Sequence, residues 1–207
     1  MKNTSSLGRI VCAPLLLVAL CCITGISPKP QGTEVQFVQQ IQADLMSRFP
    51  SAQDAMNAGY FRYTPEDDTG AISYVNLQWT SADPQHPSQL WYDVHGNLLG
   101  ADFSQPYTSK PPNLWGVDPP RWHHFHQHIH WVVNINGKES YGEAHFQKNP
   151  DAAMVVKLKG AHNVEQVTHV FVFPSIWDIT VWVKPNPNGA FADANPLVKP
   201  SKNAEKG

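Results

Sequence analysis

The sequence predicts an α+β fold, a mainly antiparallel β-sheet with one or two N-terminal helices packed on it. Three observations carry that expectation. Apolar residues recur at helical three-to-four spacing over Glu34–Arg48. β-Branched and aromatic runs dominate after residue 70. Tight-turn signals, His95-Gly96 and Asn136-Gly137, join successive runs, so neighbours should pair antiparallel.

The first segment reads as an export signal. Lys2 and Arg9 give a positive start, and Ile10 to Ile26 form an apolar stretch. Residues 1–27 are therefore expected to be a signal peptide, with an N-terminal anchor or a lipoprotein signal as alternatives. Cys12, Cys21 and Cys22 all fall in this segment. A processed chain would lack disulfides, thiolate ligands and a cysteine nucleophile. Residues 28–207 read as a single metal-binding α+β domain of about 180 residues, enough for a sizeable core. Export implies a bacterial periplasm or the extracellular space, and no membrane span in the mature chain if the signal is cleaved. The net charge of −2 provides no basic patch for nucleic acid.

In the first helix Phe37, Val38, Ile41 and Leu45 make the apolar stripe, and Pro50 follows its end. Ser51-Ala-Gln-Asp54 is a capping-box-like start for a short second helix, and Gly59 suits its C-terminal cap. Strands are expected over Ala71–Thr80, then Gln89–Val94 and Asn97–Phe103 as a hairpin. Residues 104–121 read as a proline-rich loop. Asn149-Pro150-Asp151 starts a short helix or strand ending near Gly160. Gln166–Phe173 and Ile176–Lys184 alternate as strands around Pro174-Ser175. From about residue 185 the tail is rich in Pro, Asn and Lys and reads as irregular.

The strongest functional signal is Trp122-His-His-Phe-His-Gln-His-Ile-His-Trp131. Phe125–Ile135 sorts by parity. Odd positions are apolar except Gln127, and even positions carry His126, His128, His130, Val132 and Asn134. Period two predicts a strand with the histidines on one face. Imidazole is the commonest transition-metal ligand, so the run proposes a metal site.

The Asn136-Gly137 turn fixes the register of the returning strand. His128 faces His145, and His130 faces Glu143. Both should be non-hydrogen-bonded pairs with Cα atoms about 4.5 Å apart. His128 and His130 are separated by two rises, about 7 Å. Three imidazoles and a carboxylate can therefore converge above the sheet. His126, opposite Gln147, is a reserve ligand. Tyr141 shares the face and could hydrogen-bond a ligand.

His128-Ile-His130-Trp131 followed by Glu143-Ala-His145 resembles the zinc hairpin of the α-carbonic anhydrases, which use His-x-His-Trp and Glu-x-His on adjacent strands. The resemblance covers about twenty residues, and the chain shows no whole-family match to it. It implies ligand roles for His128, His130 and His145 and a supporting carboxylate role for Glu143. Two chemistries follow from the donors. With Glu143 outside the coordination sphere, three histidines leave a position for water, as in catalytic zinc sites. With Glu143 bound, the site is harder and suits Fe, Mn or Ni.

Among other candidates, His123 and His124 sit at the mouth of the same strand and read as solvated residues peripheral to the site, with guarding it or binding a second metal as alternatives. His169 reads as a core histidine, and Asp178 as a solvent-exposed residue or an acid/base group lining the pocket. Glu66-Asp67-Asp68-Thr69-Gly70 reads as a solvated acidic turn without full calcium-loop spacing. Trp79, Trp91, Trp115, Trp122 and Trp131 fill cores or line a cleft.

The functional expectation is an exported metal-binding protein with a mononuclear site of three histidines and one glutamate. It is a metalloenzyme, a lyase or hydrolase, activating water for a small-molecule substrate. The metal is one divalent transition ion: zinc first, with Fe, Mn or Cu as alternatives. Other readings are a noncatalytic zinc or copper carrier of the cell envelope and an Fe- or Mn-dependent oxygenase. Glu143 and Tyr141 are the catalytic candidates; His128, His130, His145 and His126 are the metal candidates.

Overall fold

Glu34–Arg48 forms helix α1 for the reason its spacing gives: Phe37, Ile41 and Leu45 fall on one stripe and are all buried. Gln36 Oε1 accepts from the backbone N–H of Thr33 at 3.0 Å, and Phe49 closes the other end. Helix α2, Ala52–Asn57, starts with the reciprocal cap its sequence announces. Ser51 Oγ accepts from Asp54 N, and Asp54 Oδ2 accepts from Ser51 N at 3.1 Å. Gly59, at φ 89, takes the left-handed conformation that lets the chain leave α2. The computed structural model describes residues 33–79 and 83–204. The leader expected over 1–27 lies outside the described residues. Among the described residues, no helix is long and apolar enough to cross a membrane.

Among the described residues, nine strands form two antiparallel sheets, which with three helices makes the fold α+β. The strands are β1 Phe61–Glu66, β2 Ile72–Val75, β3 Gln89–Tyr92, β4 Leu98–Pro106, β5 His123–Phe125, β6 His128–Ile135, β7 Lys138–His145, β8 Val167–Phe173 and β9 Ile176–Trp182. The larger sheet has the order β1-β2-β3-β4-β9-β5 and the smaller β7-β6-β8. Helix α1 covers one face of the larger sheet, where Phe37, Ile41 and Leu45 meet Leu90, Ala101, Phe103, Ile179 and Val181. The smaller sheet lies against the opposite face through Tyr63 and Val75 on one side and Val132, Phe171 and Phe173 on the other. Helix α3, Ala152–Lys157, caps the outer face of the smaller sheet, packing Val155 on Ile129, Trp131 and Val133. Asp151 is its N-cap, accepting from Met154 N at 2.8 Å, so Pro150 lies outside the helix.

Three elements differ from the sequence expectation. The strand expected over Ala71–Thr80 stops at Val75, because Asn76 turns the chain. Its Oδ1 accepts from Gln78 N at 3.1 Å, and its carbonyl accepts from Trp79 N. β4 runs on through Pro106 into the expected proline-rich loop, since Ser104, Gln105 and Pro106 pair with Asp178, Trp177 and Ile176. Pro106 ends the strand, where a missing N–H costs least.

The third difference governs the site. The single strand expected over Phe125–Ile135 is two strands in two sheets, and Val167–Trp182 is divided in the same way. The register nevertheless continues across the break: His123 pairs with Asp178, Phe125 with Ile176, His128 with Phe173 and Val132 with His169. β5–β6 and β8–β9 are thus one long antiparallel ribbon, bent at His126-Gln127 opposite Pro174-Ser175. Corners of this kind let one ribbon serve two packed sheets. Pro174 fits the corner because no ladder N–H is needed there.

The tail after Trp182 has no helix or strand among the described residues but is held down. Trp182 N donates to Ala190 O at 2.8 Å, and Val198 packs on Ala71, Leu99 and Trp182. Ser201 hydrogen-bonds both oxygens of the buried Glu66 carboxylate.

Candidate metal centre

The β6–β7 hairpin has the expected register. Asn136 and Gly137 both take positive φ, 55 and 81, and His128 pairs with His145 and His130 with Glu143. Gly142 is required opposite Trp131, since a Cβ there would fall 2.4 Å from the indole. The indole also lies against Gly160, so this packing fixes the hairpin's outer face.

On the inner face, His128, His130 and Glu143 each direct a donor atom to one place, all within 4.8 Å of one another. These three side chains could hold a metal ion. The two histidine Nε2 atoms are 2.9 Å apart, and Glu143 Oε2 is 4.0 Å from His130 Nε2. A tetrahedral ion about 2.0–2.1 Å from each nitrogen would set them about 3.3 Å apart, so the pair needs only a few tenths of an ångström.

The rings are held from outside the centre. His128 Nδ1 lies 2.7 Å from the His126 carbonyl, which can only accept, so Nδ1 carries the proton and Nε2 presents a lone pair. His128 stacks on Phe173 at 4.9 Å. His130 is buried between Phe171 and the edge of Tyr63. Burial, helped by His128 beside it, pushes the His130 pKa down to about 3, which keeps the ring neutral as ligation requires.

The structure does not bring every candidate to this point. His145, across from His128, is exposed and outside the group. His126 lies at the corner with its ring edge-on to His124, 4.3 Å away. The corner explains this. In β5 it is Phe125 that faces the cleft, and in β6 His128 and His130 do, so the two-residue alternation is inverted across 126–127. Tyr141 is half-buried; its hydroxyl donates to Glu139 at 2.6 Å, and Arg62 lies over its ring. It does not line the cleft.

That cleft, about 410 Å³, runs between the two sheets. The His128–His130–Glu143 group forms one wall. The other is the inner face of the larger sheet, with Gln89, Trp91, Asp102, Asp178 and Thr180. Asp178 is 4% exposed, so the solvent-exposed reading of this residue is replaced by a buried one, covered by the smaller sheet. Asp102 was missed, although a carboxylate between Ala101 and Phe103 in a strongly apolar strand was a readable signal.

The remaining candidates are peripheral. His124 stacks on Tyr107 and reaches Ser175 Oγ at 3.0 Å, while His123 is exposed. His169 is exposed, not a core residue, and stacks on Phe61. The acidic turn is more ordered than a solvated loop: Asp67 Oδ1 accepts from Thr69 N, Thr69 Oγ1 and Ala71 N. Trp115, Trp122 and Trp131 are buried, Trp79 stacks on His86, and of these tryptophans Trp91 lines the cleft.

No family model, curated protein or solved structure matches the chain. The likeness to the α-carbonic anhydrase zinc hairpin is therefore local.

Proposed function

We propose that this protein holds one divalent transition metal, zinc, at His128, His130 and Glu143, and uses it to activate water for hydration or hydrolysis of a small uncharged substrate. The observation supporting this is the convergence of two fixed imidazole nitrogens, 2.9 Å apart, and a carboxylate in the wall of a cleft of ligand size. Three protein donors leave a position for water, the arrangement of catalytic rather than structural zinc. Bound there, the ion would lower the pKa of water and make it a nucleophile near neutral pH. A carrier needs no such cleft, which weighs against the buffering role. His145, which pairs with His128 across the hairpin, is the candidate for a third imidazole in this reading. Export to a periplasm or the outside belongs to this reading and rests on the leader segment alone.

The donor set favours one second reading. Two histidines and one carboxylate with open positions also suit non-haem Fe(II) and oxygen chemistry.

Metal analysis of protein purified without chelator decides between them. About one zinc per chain is expected on the coordination argument; one iron, coloured or paramagnetic, would favour the oxygenase. His128→Ala and His130→Ala should each abolish binding. Full occupancy in either variant would overturn the site. His145→Ala should weaken affinity by no more than about tenfold, the low end for supporting groups.

A further inference from the structure

The wall opposite the metal centre carries a second chemical group. Asp102 and Ser104 on β4 pair with Thr180 and Asp178 on β9, and all four side chains project from the same face. The two carboxyls are both buried and occupy diagonal positions of that face. Each is also held by its own hydroxyl: Thr180 Oγ1 donates to Asp102 at 2.9 Å, and Ser104 Oγ to Asp178 at 2.7 Å. Ser88 Oγ lies 2.6 Å from Ser104 Oγ and extends the chain of hydroxyls. Two carboxylates this close and this dry cannot both ionise cheaply.

We propose that Asp102 and Asp178 are a proton-sharing acid–base pair serving the water held at the His128–His130–Glu143 centre. This rests on the metal reading above. Both groups line the one cleft, whose size suits a single small substrate. Asp67, Asp193 and Glu143 also line it, and among the described residues no Lys or Arg lines it. An anionic substrate would be repelled, so the pair serves an uncharged one, an ester or amide by class. The ionised carboxylate takes a proton from the water as the water oxygen bonds to the carbonyl carbon. The carbon–heteroatom bond breaks with its electron pair on the heteroatom, which takes the proton of the neutral carboxyl. The pair ends with one proton, as it began.

Burial supports the assignment by raising both groups, Asp178 to about 7 and Asp102 well above the usual range, the latter also through the charge of Asp178. The titratable groups facing the pair are Tyr63 from β1, Asp67 from the turn after it, and His123 from β5 opposite Asp178. Among the described residues, His128 and His130 from β6, Glu143 from β7 and Asp193 from the tail also face it. Tyr63 is held neutral by burial, and its hydroxyl hydrogen-bonds Gln89.

Two measurements test the pair. Infrared spectra of the metal-free protein should show a neutral carboxyl band at pH 6 that loses part of its intensity as pH rises through about 7, where Asp178 ionises, and keeps the rest on Asp102; Asp178→Asn should lack the Asp178 part of the band. No neutral carboxyl band, its complete loss just above pH 7, or an unchanged band in that variant overturns the proposal. If the Asp variants fail to fold, Ser104→Ala serves: losing the Ser104 hydroxyl should move the midpoint upward, and an unmoved midpoint overturns the pair. Cobalt(II) placed in the centre then reports the coupling. Asp102→Asn and Asp178→Asn should bind cobalt as the wild type does, yet shift the pH inflection of its visible spectrum by about one unit or more. Lost cobalt binding, or an unshifted inflection, overturns the acid–base role. If His128→Ala still binds cobalt, the metal reading fails, while the infrared result stands on its own.

Discussion

At the scale of residues, two titrating features oppose one another. The His130 pKa lies at about 3 in the fold against 6.5 for an ordinary histidine. The unfolded chain therefore binds the extra proton first, and this contribution to stability is lost as pH falls from about 6.5 towards 3. Asp178 works in the other direction. Its folded pKa, about 7 against 3.8, means the native state holds the proton longer, so its contribution is present below 3.8 and lost as pH rises to about 7. Asp178→Asn should flatten that loss. The melting temperature of the variant, measured relative to wild type, should climb between pH 4 and pH 8, and a constant difference would contradict the shared buried proton. Glu143→Gln should keep the fold, since Glu143 is exposed, but weaken metal binding measured by competition with a chelator.

Among the elements, the hairpin depends on Gly142 and the candidate metal site depends on the hairpin. A methyl group there meets the Trp131 indole at 2.4 Å, and the indole is itself backed by Gly160 and cannot retreat. Gly142→Ala should cost about 1–3 kcal/mol in denaturant unfolding, the usual range for overpacking. It should also reduce metal affinity, because Glu143 is the next residue. Ser51→Ala is the matched control: loss of the α2 cap should cost about 1 kcal/mol and leave metal affinity unchanged. The elements were also the most legible level of the sequence. α1 and the β6–β7 register follow from spacing and one Asn-Gly turn, both local signals. The corner at His126-Gln127 was not legible, because a continuous alternating run looks the same whether its strand stays in one sheet or passes between two.

For the whole molecule, the bent ribbon ties both sheets into one structure, and the metal candidates lie on its inner side. Zinc should therefore raise the melting temperature of the entire protein rather than of one part. At a free zinc concentration about 100 times Kd the gain is about 2.7 kcal/mol by mass action. Scanning calorimetry should show a single transition moved up by zinc, moved back by chelator, and unmoved by zinc in His128→Ala. The tail contributes at the same scale. Val198→Ala, which removes two buried methyl groups from the contact with Leu99 and Trp182, should cost about 1.5 kcal/mol.

The α+β class, the long N-terminal helix, and the pairing of His128 with His145 and His130 with Glu143 were determined by the sequence alone. Each depends on periodicity or on a turn whose partners lie within about twenty residues. The tertiary structure decided which polar face was buried. The inner face of β9 looked solvent-exposed because its alternation is that of a sheet with one wet side. Only the packing of the smaller sheet against it buries Asp178 beside Asp102 and turns two ordinary strand carboxylates into a pair facing the candidate metal centre. It also removed His126 from the histidine face, because the corner that lets one ribbon join two sheets inverts the side-chain alternation there.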